Sequence, residues 1–310
     1  MDLYPKHKAA WDAAAGAPYQ NRNQISYLAA LLPFIEQQAI FSSILENSDT
    51  DYDRANANYI NTYSGSVGGV PTHWAAKISA FICPSDPEGT SAGANDTGLT
   101  SYHCNYGDAW ESCYMTPTGT SRISRSRGAF TSGLSVVIGF SGISDGTSNT
   151  VFLSEVAIGP RGGTRKMKGG IATNLGSQQP SNCFAYRGGN GEYASGATVW
   201  EGTGNQHTGR RWGAALPSYT MFNTIFPPNS TSCSLNANFD NYDNVVTVSS
   251  YHTGGVNLSM GDGSVRFLSE TIDAKNFNTA IWSTTSLSGA IYGVWSELGS
   301  RSGGESASMP

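Results

Sequence analysis

Apolar residues follow two different rhythms along this chain. Between Gln24 and Leu45, the residues Ile25, Leu28, Leu31, Leu32, Ile35, Ile40, Ile44 and Leu45 recur at mixed three- and four-residue steps. That spacing predicts a helix laying one apolar stripe on a core. Pro33 falls inside the stripe, so a break or a new helical first turn is expected there. A short turn over Asp51–Ala57 and a second helix over Trp74–Ala80 (WAAKISA) are expected ahead of Phe81-Ile82-Cys83-Pro84.

From about residue 100 the rhythm shortens. Apolar runs at Ser135–Phe140, Val151–Val156, Thr198–Trp200, Val245–Val248, Val256–Met260 and Val265–Leu268 are separated by Gly, Asn, Asp and Ser clusters. These read as strands and turns. Gly261-Asp262-Gly263 between two such runs predicts a hairpin, because that turn needs residues at positive φ. A short helix is expected over Ala274–Thr279 and a loose polar tail over 299–310. The predicted class is α+β, with N-terminal helices followed by an antiparallel β-sheet head with long loops. It is read as a single domain: a helical part over 1–82, a β-rich head over 100–298, and the tail.

Composition narrows the picture. Of 310 residues, 37 are Gly and only 13% are charged, while 34 are aromatic (7 Trp, 15 Tyr, 12 Phe). A helical bundle would need far more Ala, Glu, Lys and Leu, and a disordered chain far fewer aromatics. Net charge is −5, so no global basic field would attract nucleic acid or an anionic membrane. Basic residues cluster at Arg122, Arg125 and Arg127 and at Arg161, Arg165, Lys166 and Lys168; they read as solvated loops before phosphate or glycan contacts. No run of about 18 apolar residues occurs, and Met1 is followed by Asp-Leu-Tyr-Pro-Lys, so the chain as given is read as a soluble polypeptide without a signal peptide.

The five cysteines, Cys83, Cys104, Cys113, Cys183 and Cys233, form no CxxC, and no His lies at zinc-finger spacing, so a structural metal site is not expected. At most two disulfides can form, with Cys104–Cys113 and Cys183–Cys233 as the candidate pairs. The histidines His7, His73, His103, His207 and His252 never lie three or four apart, which excludes a metal-binding helix face of the HExxH kind. His252 precedes the hairpin; it reads as a satisfied polar residue at the start of a strand ahead of a catalytic one, with Asp262 at the hairpin's far end and out of reach. Gly142-Ile143-Ser144-Asp145-Gly146 matches GxSxG, but a strand follows it where a nucleophile elbow needs a helix, so a turn is expected instead. Asp49, Asp51 and Asp53, and Asp240 with Asp243, are candidate calcium ligands. The first group fails the EF-hand pattern because Arg54 stands at the glycine position. No other cofactor is expected.

Five ordered motifs then point to one family. They are Leu31-Leu32-Pro33-Phe34-Ile35-Glu36-Gln37, Phe81-Ile82-Cys83-Pro84-Ser85-Asp86, Ile143-Ser144-Asp145-Gly146-Thr147-Ser148-Asn149-Thr150, Phe222-Asn223-Thr224 with Pro227-Pro228-Asn229, and His252 through Asp262-Gly263-Ser264-Val265. Together they resemble the DUF1559 family, whose C-terminal signature is written H-x9-DG and which is abundant in planctomycetes. The resemblance implies a type IV pilin-like or pseudopilin-like protein: a prepilin cleavage site and apolar helix, then a secreted β-rich head. This chain opens where such a head would begin, so the soluble head alone is expected.

The function so implied is a non-enzymatic, extracytoplasmic structural subunit of a pilus-like or secretion-like filament. It would be membrane-anchored before assembly, and its partners would be further pilin-like subunits joined through the preceding helix. The alternative is a surface or periplasmic module binding a glycan or small solute, with Trp200, Trp212 and Tyr219 as stacking platforms; core packing is the competing reading of those rings. The resemblance marks His252, Asp262, Gly263, Asp145, Thr147 and Asn149 as signature residues of structural role.

Overall fold

The computed structural model describes residues 26–53 (backbone alone over 47–53), 73–93, 96–109, 127–130, 138–177, 179–202, 206–237, 239, 244–279 and 289–304. The N-terminal stripe folds as a broken helix. An α-helix, α1, spans Tyr27–Leu31, a 3-10 turn spans Leu32–Ile35, and a second helix, α2, spans Gln38–Asp53. Pro33 sits in the first turn of the 3-10 segment, where its missing N–H costs nothing, and Glu36 ends that segment at φ 62°. Leu28, Leu32 and Ile44 pack with Trp74, Ile78, Phe81 and Trp212. Leu31 and Phe34 face outward, at 36% and 67% exposure.

The β-rich part is built around a five-stranded sheet. Its strands are β1 (Tyr102–Asn105), β2 (Val151–Glu155), β3 (Met221–Phe222), β6 (Gly255–Met260) and β7 (Val265–Ser269), in the spatial order β3-β1-β2-β6-β7. A second, two-stranded sheet pairs β4 (Cys233–Ser234) with β5 (Asn244–Val245). Short helices at Pro180–Phe184, Pro217–Thr220 and Val294–Gly299 (α3, α4 and α5) complete the α+β architecture. The sheet is mixed, not purely antiparallel as expected, because β3 joins β1 in parallel. The expected hairpin forms between β6 and β7, from Gly255↔Ser269 to Ser259↔Val265.

One face of this sheet carries Val151, Phe222, Val256, Leu258, Met260 and Leu268 into a core closed by Trp295 and Leu298 of α5. Trp295 is fully buried and stacks on Phe222 at 6.2 Å. A neighbouring core surrounds the Cys183–Cys233 disulfide, with Met167, Tyr193, Ile225, Phe226, Val245 and Tyr292.

Several expectations are corrected. WAAKISA is not a helix; only Ser79–Phe81 closes a 3-10 turn. The carbonyls of Trp74 and Ala76 accept instead from Gly98 N (2.8 Å) and Trp212 Nε1 (3.1 Å), so tertiary donors replace the helical ladder. Ala274–Thr279 is likewise not helical. Its backbone turns at Asn276 (φ 61°) and is tied across to Tyr292 and Ile291. The run at Thr198–Trp200 makes a single bridge, Ala172↔Val199; of the run Ser135–Phe140, residues 135–137 lie outside the described residues and Phe140 opens a 3-10 turn. Cys104 is a buried free thiol, so no bridge joins it to Cys113, which lies outside the described residues. The tail is held as far as Gly304, since Arg301 N donates to Arg127 O and the next residues bond to Asp145.

Candidate functional site

The motif Phe81–Asp86 is pinned to the sheet by its own chemistry. Buried Phe81 anchors it in the N-terminal core, and Asp86 N closes a turn on Cys83 O at 2.9 Å. The Asp86 carboxylate then accepts from Glu88 N (3.0 Å), Ser101 Oγ (3.2 Å) and Ile158 N (2.9 Å). Burial raises its pKa, and these three donors oppose that shift. Cys83 is thereby held 5% exposed at the end of β2.

Glu155 is the last residue of β2, and its side chain is 6% exposed. One carboxylate oxygen accepts from Asn257 N on β6 at 2.7 Å. The other lies 3.0 Å from His252 Nε2 and 3.4 Å from Asn257 Nδ2. His252 precedes β6, where its backbone N–H donates to Ser250 Oγ at 3.1 Å, and its ring is one-third exposed. Cys83 Sγ lies 3.6 Å from the same Nε2. A thiol, a carboxylate and an imidazole from three distant segments thus converge, with their ligand atoms within 4.8 Å of one another. Beside them lies a cavity of about 10 Å³ lined by Asp86, Ser101, Ser249, Ser250 and Tyr251 among others. That is room for a single ion or water, not for an organic ligand.

This is not the geometry of a thiol nucleophile. A triad places the carboxylate on one ring nitrogen and the nucleophile on the other. Here both meet Nε2. The Cys83 pKa is raised, first by desolvation, against a Ser85 N–H that lowers it, and further by Glu155 beside it. The sulfur is therefore held as a thiol and is not primed for attack.

The other predicted residues sit as follows. Asp262 is exposed at the hairpin turn and accepts from Ser264 N (2.9 Å) and Ser264 Oγ (2.7 Å), which lower its pKa. Gly263 has φ +84°. The hairpin tip is also fastened to the other signature loop, because Asp262 N donates to Thr147 O (3.1 Å) and Gly261 N to Thr150 O (2.9 Å). Asn149 Nδ2 donates to Asp145 O at 3.2 Å, as a local tie should. The Asp145 carboxylate reaches further, accepting from Gly303 N (2.7 Å) and Gly304 N (3.0 Å). Ser144 is exposed in the turn before β2, without the helix a nucleophile elbow requires.

The stacking platform is overturned. Trp212 and Tyr219 are both 0% exposed. Trp212 packs against Trp74 and Phe81, and Tyr219 meets Phe239 edge-on with Arg211 above its ring. Trp200 is half-buried, stacked on Phe239 and donating to Gln206 O at 2.6 Å. Asp49, Asp51 and Asp53 belong to helix α2 and not to a calcium-binding loop; their side chains, like Asp240 and Asp243, lie outside the described residues.

The partnership of Cys83 and Glu155 with His252 was not legible in sequence. Cys83 and His252 are 169 residues apart, and Glu155 and His252 are 97 apart. The one local signal is a carboxylate, Glu155, set within the apolar run Val151–Val156, where an unpaired charge would be costly to bury.

The family described as "Protein of unknown function (DUF1559)" matches residues 6–275, most of the chain. The chain belongs to the DUF1559 family. Within that frame, the His of the H-x9-DG signature meets the cysteine of Cys83-Pro84-Ser85-Asp86, and its Asp-Gly turn meets the loop Ile143–Thr150. No curated protein and no solved structure matches the chain.

Proposed function

We propose that this DUF1559 chain is the head of a non-enzymatic, extracytoplasmic structural subunit that packs against copies of itself in a pilus-like or secretion-like filament. The observation that carries the reading is strand β7. Among the described residues it ends the five-stranded sheet with no strand on its outer edge, and it carries Val265 at 71% and Phe267 at 50% exposure. A sheet edge bearing apolar side chains is a template for another chain unless the protein blunts it, and here Arg266 is the strand's one charged residue. The Cys183–Cys233 disulfide supports an oxidising compartment outside the cytoplasm. The signature residues support a structural role, because Asp145, Asn149, Asp262 and Gly263 are all engaged in holding loops. Assembly would add an apolar helix ahead of the head as the filament's spine, with the chain held at the membrane beforehand.

The experiment is Phe267→Lys in the source cell, with mechanical shearing of the surface. The variant should be exported at a wild-type level with an unshifted melting transition, yet be missing from the sheared high-molecular-weight fraction. Its presence there at the wild-type level would contradict the reading.

A second reading keeps a solute-binding module, and a specific cleft favours it. A cavity of about 600 Å³ is lined by Lys166, Lys168, Arg187, Asn229, Tyr251 and Glu270. Three cations against one carboxylate suit an anionic solute better than a neutral sugar on an aromatic face. Titration calorimetry with phosphate, citrate and a hexuronate tests it. Saturable heat that disappears in Lys168→Ala supports the module, and flat titrations dispose of it.

A further inference from the structure

Independently of the filament reading, we infer that Cys83, Glu155 and His252 form a binding site for a borderline-soft divalent transition-metal ion of the Zn²⁺ class. The three side chains offer sulfur, oxygen and nitrogen, the donor set such ions take; hard Ca²⁺ or Mg²⁺ prefers oxygen alone. The separations fit ligands sharing one small ion: 3.0 Å from His252 Nε2 to the Glu155 oxygen and 3.6 Å from Nε2 to Cys83 Sγ. Both atoms approach the same ring nitrogen, and one cation placed among the three would serve all of them.

Charge favours the same arrangement. A thiolate and a carboxylate around a dication, with a neutral imidazole, sum to zero, which suits ligands whose exposure is as low as that of Cys83 and Glu155. Binding would displace the Cys83 proton to solvent, and no redox step is involved. The supporting contacts are in place. Asn257 N and Nδ2 hold the Glu155 carboxylate, Asp86 closes the turn after Cys83, and Ser250 Oγ receives the His252 backbone N–H. Such outer contacts orient ligands toward a metal. The neighbouring cavity of about 10 Å³ admits an ion and nothing larger. Three protein ligands leave one position of a tetrahedral ion for water or a donor from a neighbouring molecule.

The test is Co²⁺ titration of the full chain after chelator treatment, followed by optical spectroscopy. The site should take one equivalent and give the intense visible bands of a four-coordinate ion with a sulfur-to-metal charge-transfer band. Zn²⁺ should displace it, and excess Ca²⁺ should not. Cys83→Ser should remove the charge-transfer band, and His252→Gln should weaken binding more than about tenfold. Asp262→Asn, which changes the same signature away from the cluster, should bind as wild type. A wild-type chain that gives no charge-transfer band, a band that survives in Cys83→Ser, or displacement by Ca²⁺ would overturn the assignment. The wild-type spectrum decides the matter even where a variant fails to fold.

Discussion

At the scale of single residues, the hairpin tip shows how a local pattern becomes a fixed structure. Gly263 sits at φ +84°, where a side chain is strained and a β-branched one most of all. Asp262 accepts from Ser264 within the turn, while its own N–H reaches Thr147 in the other signature loop. Gly263→Val should therefore lower stability by about 1–3 kcal/mol, read as a melting transition several degrees lower by calorimetry. An unshifted transition would contradict the turn's geometry. His103 makes a different prediction. It is buried in β1, bonds through Nδ1 to Met221 O at 3.0 Å, and desolvation lowers its pKa from 6.5 to about 4. The native ring stays neutral while the unfolded ring takes up a proton below pH 6.5, so this contribution is fully present above pH 6.5. It is lost as pH falls toward 4, amounting to about 3 kcal/mol at the acid end. Melting temperature measured across that window should fall less steeply in His103→Gln than in wild type. Parallel slopes would show that His103 is not the group responsible.

At the scale of elements, features encoded by neighbouring residues were legible and features set by distant partners were not. Pro33 marks the break between α1 and the 3-10 turn, because the loss of one N–H is a local matter. The β6–β7 hairpin follows from Gly261-Asp262-Gly263 for the same reason. WAAKISA has helical composition, yet Gly98 and Trp212 take its carbonyls, and nothing within seven residues reveals that. Trp212 and Tyr219 could face a ligand or a core; distant partners decide it, the N-terminal helices covering Trp212, and Phe239 with Ile171 covering Tyr219. The metal-type cluster was hidden in the same way, since its members come from three segments that meet only when β2 and β6 pair. Among the cysteines, pairing across 50 residues between α3 and β4 formed while the short loop to Cys104 did not. In the chain-entropy picture a loop of that length stabilises the fold by about 4 kcal/mol. Cys183→Ala with Cys233→Ala should lower the denaturant midpoint accordingly, and an unchanged midpoint would show that the bridge constrains nothing.

At the scale of the whole molecule, the chain carries few charges, and several of them are deeply buried. Arg210 is 0% exposed and is met by Asp96, Ser91 and Gly159 O, while Arg127 pairs with buried Asp108. Such pairs add specificity more than net stability, since desolvation offsets much of their attraction. Outside, apolar side chains stand exposed on the N-terminal helices (Phe34), at Phe140 and along β7 (Val265 and Phe267). That combination suits repeated packing against identical neighbours. Among the described residues no helix is long and apolar enough to cross a membrane. The most direct measurement is the intact mass and N-terminal sequence of the native protein taken from the envelope of its source cell. The filament account predicts a mature chain that begins with an apolar helix upstream of Met1, in a fraction released by shearing. A mature chain that begins near Asp2 and is recovered free in the periplasm would contradict it.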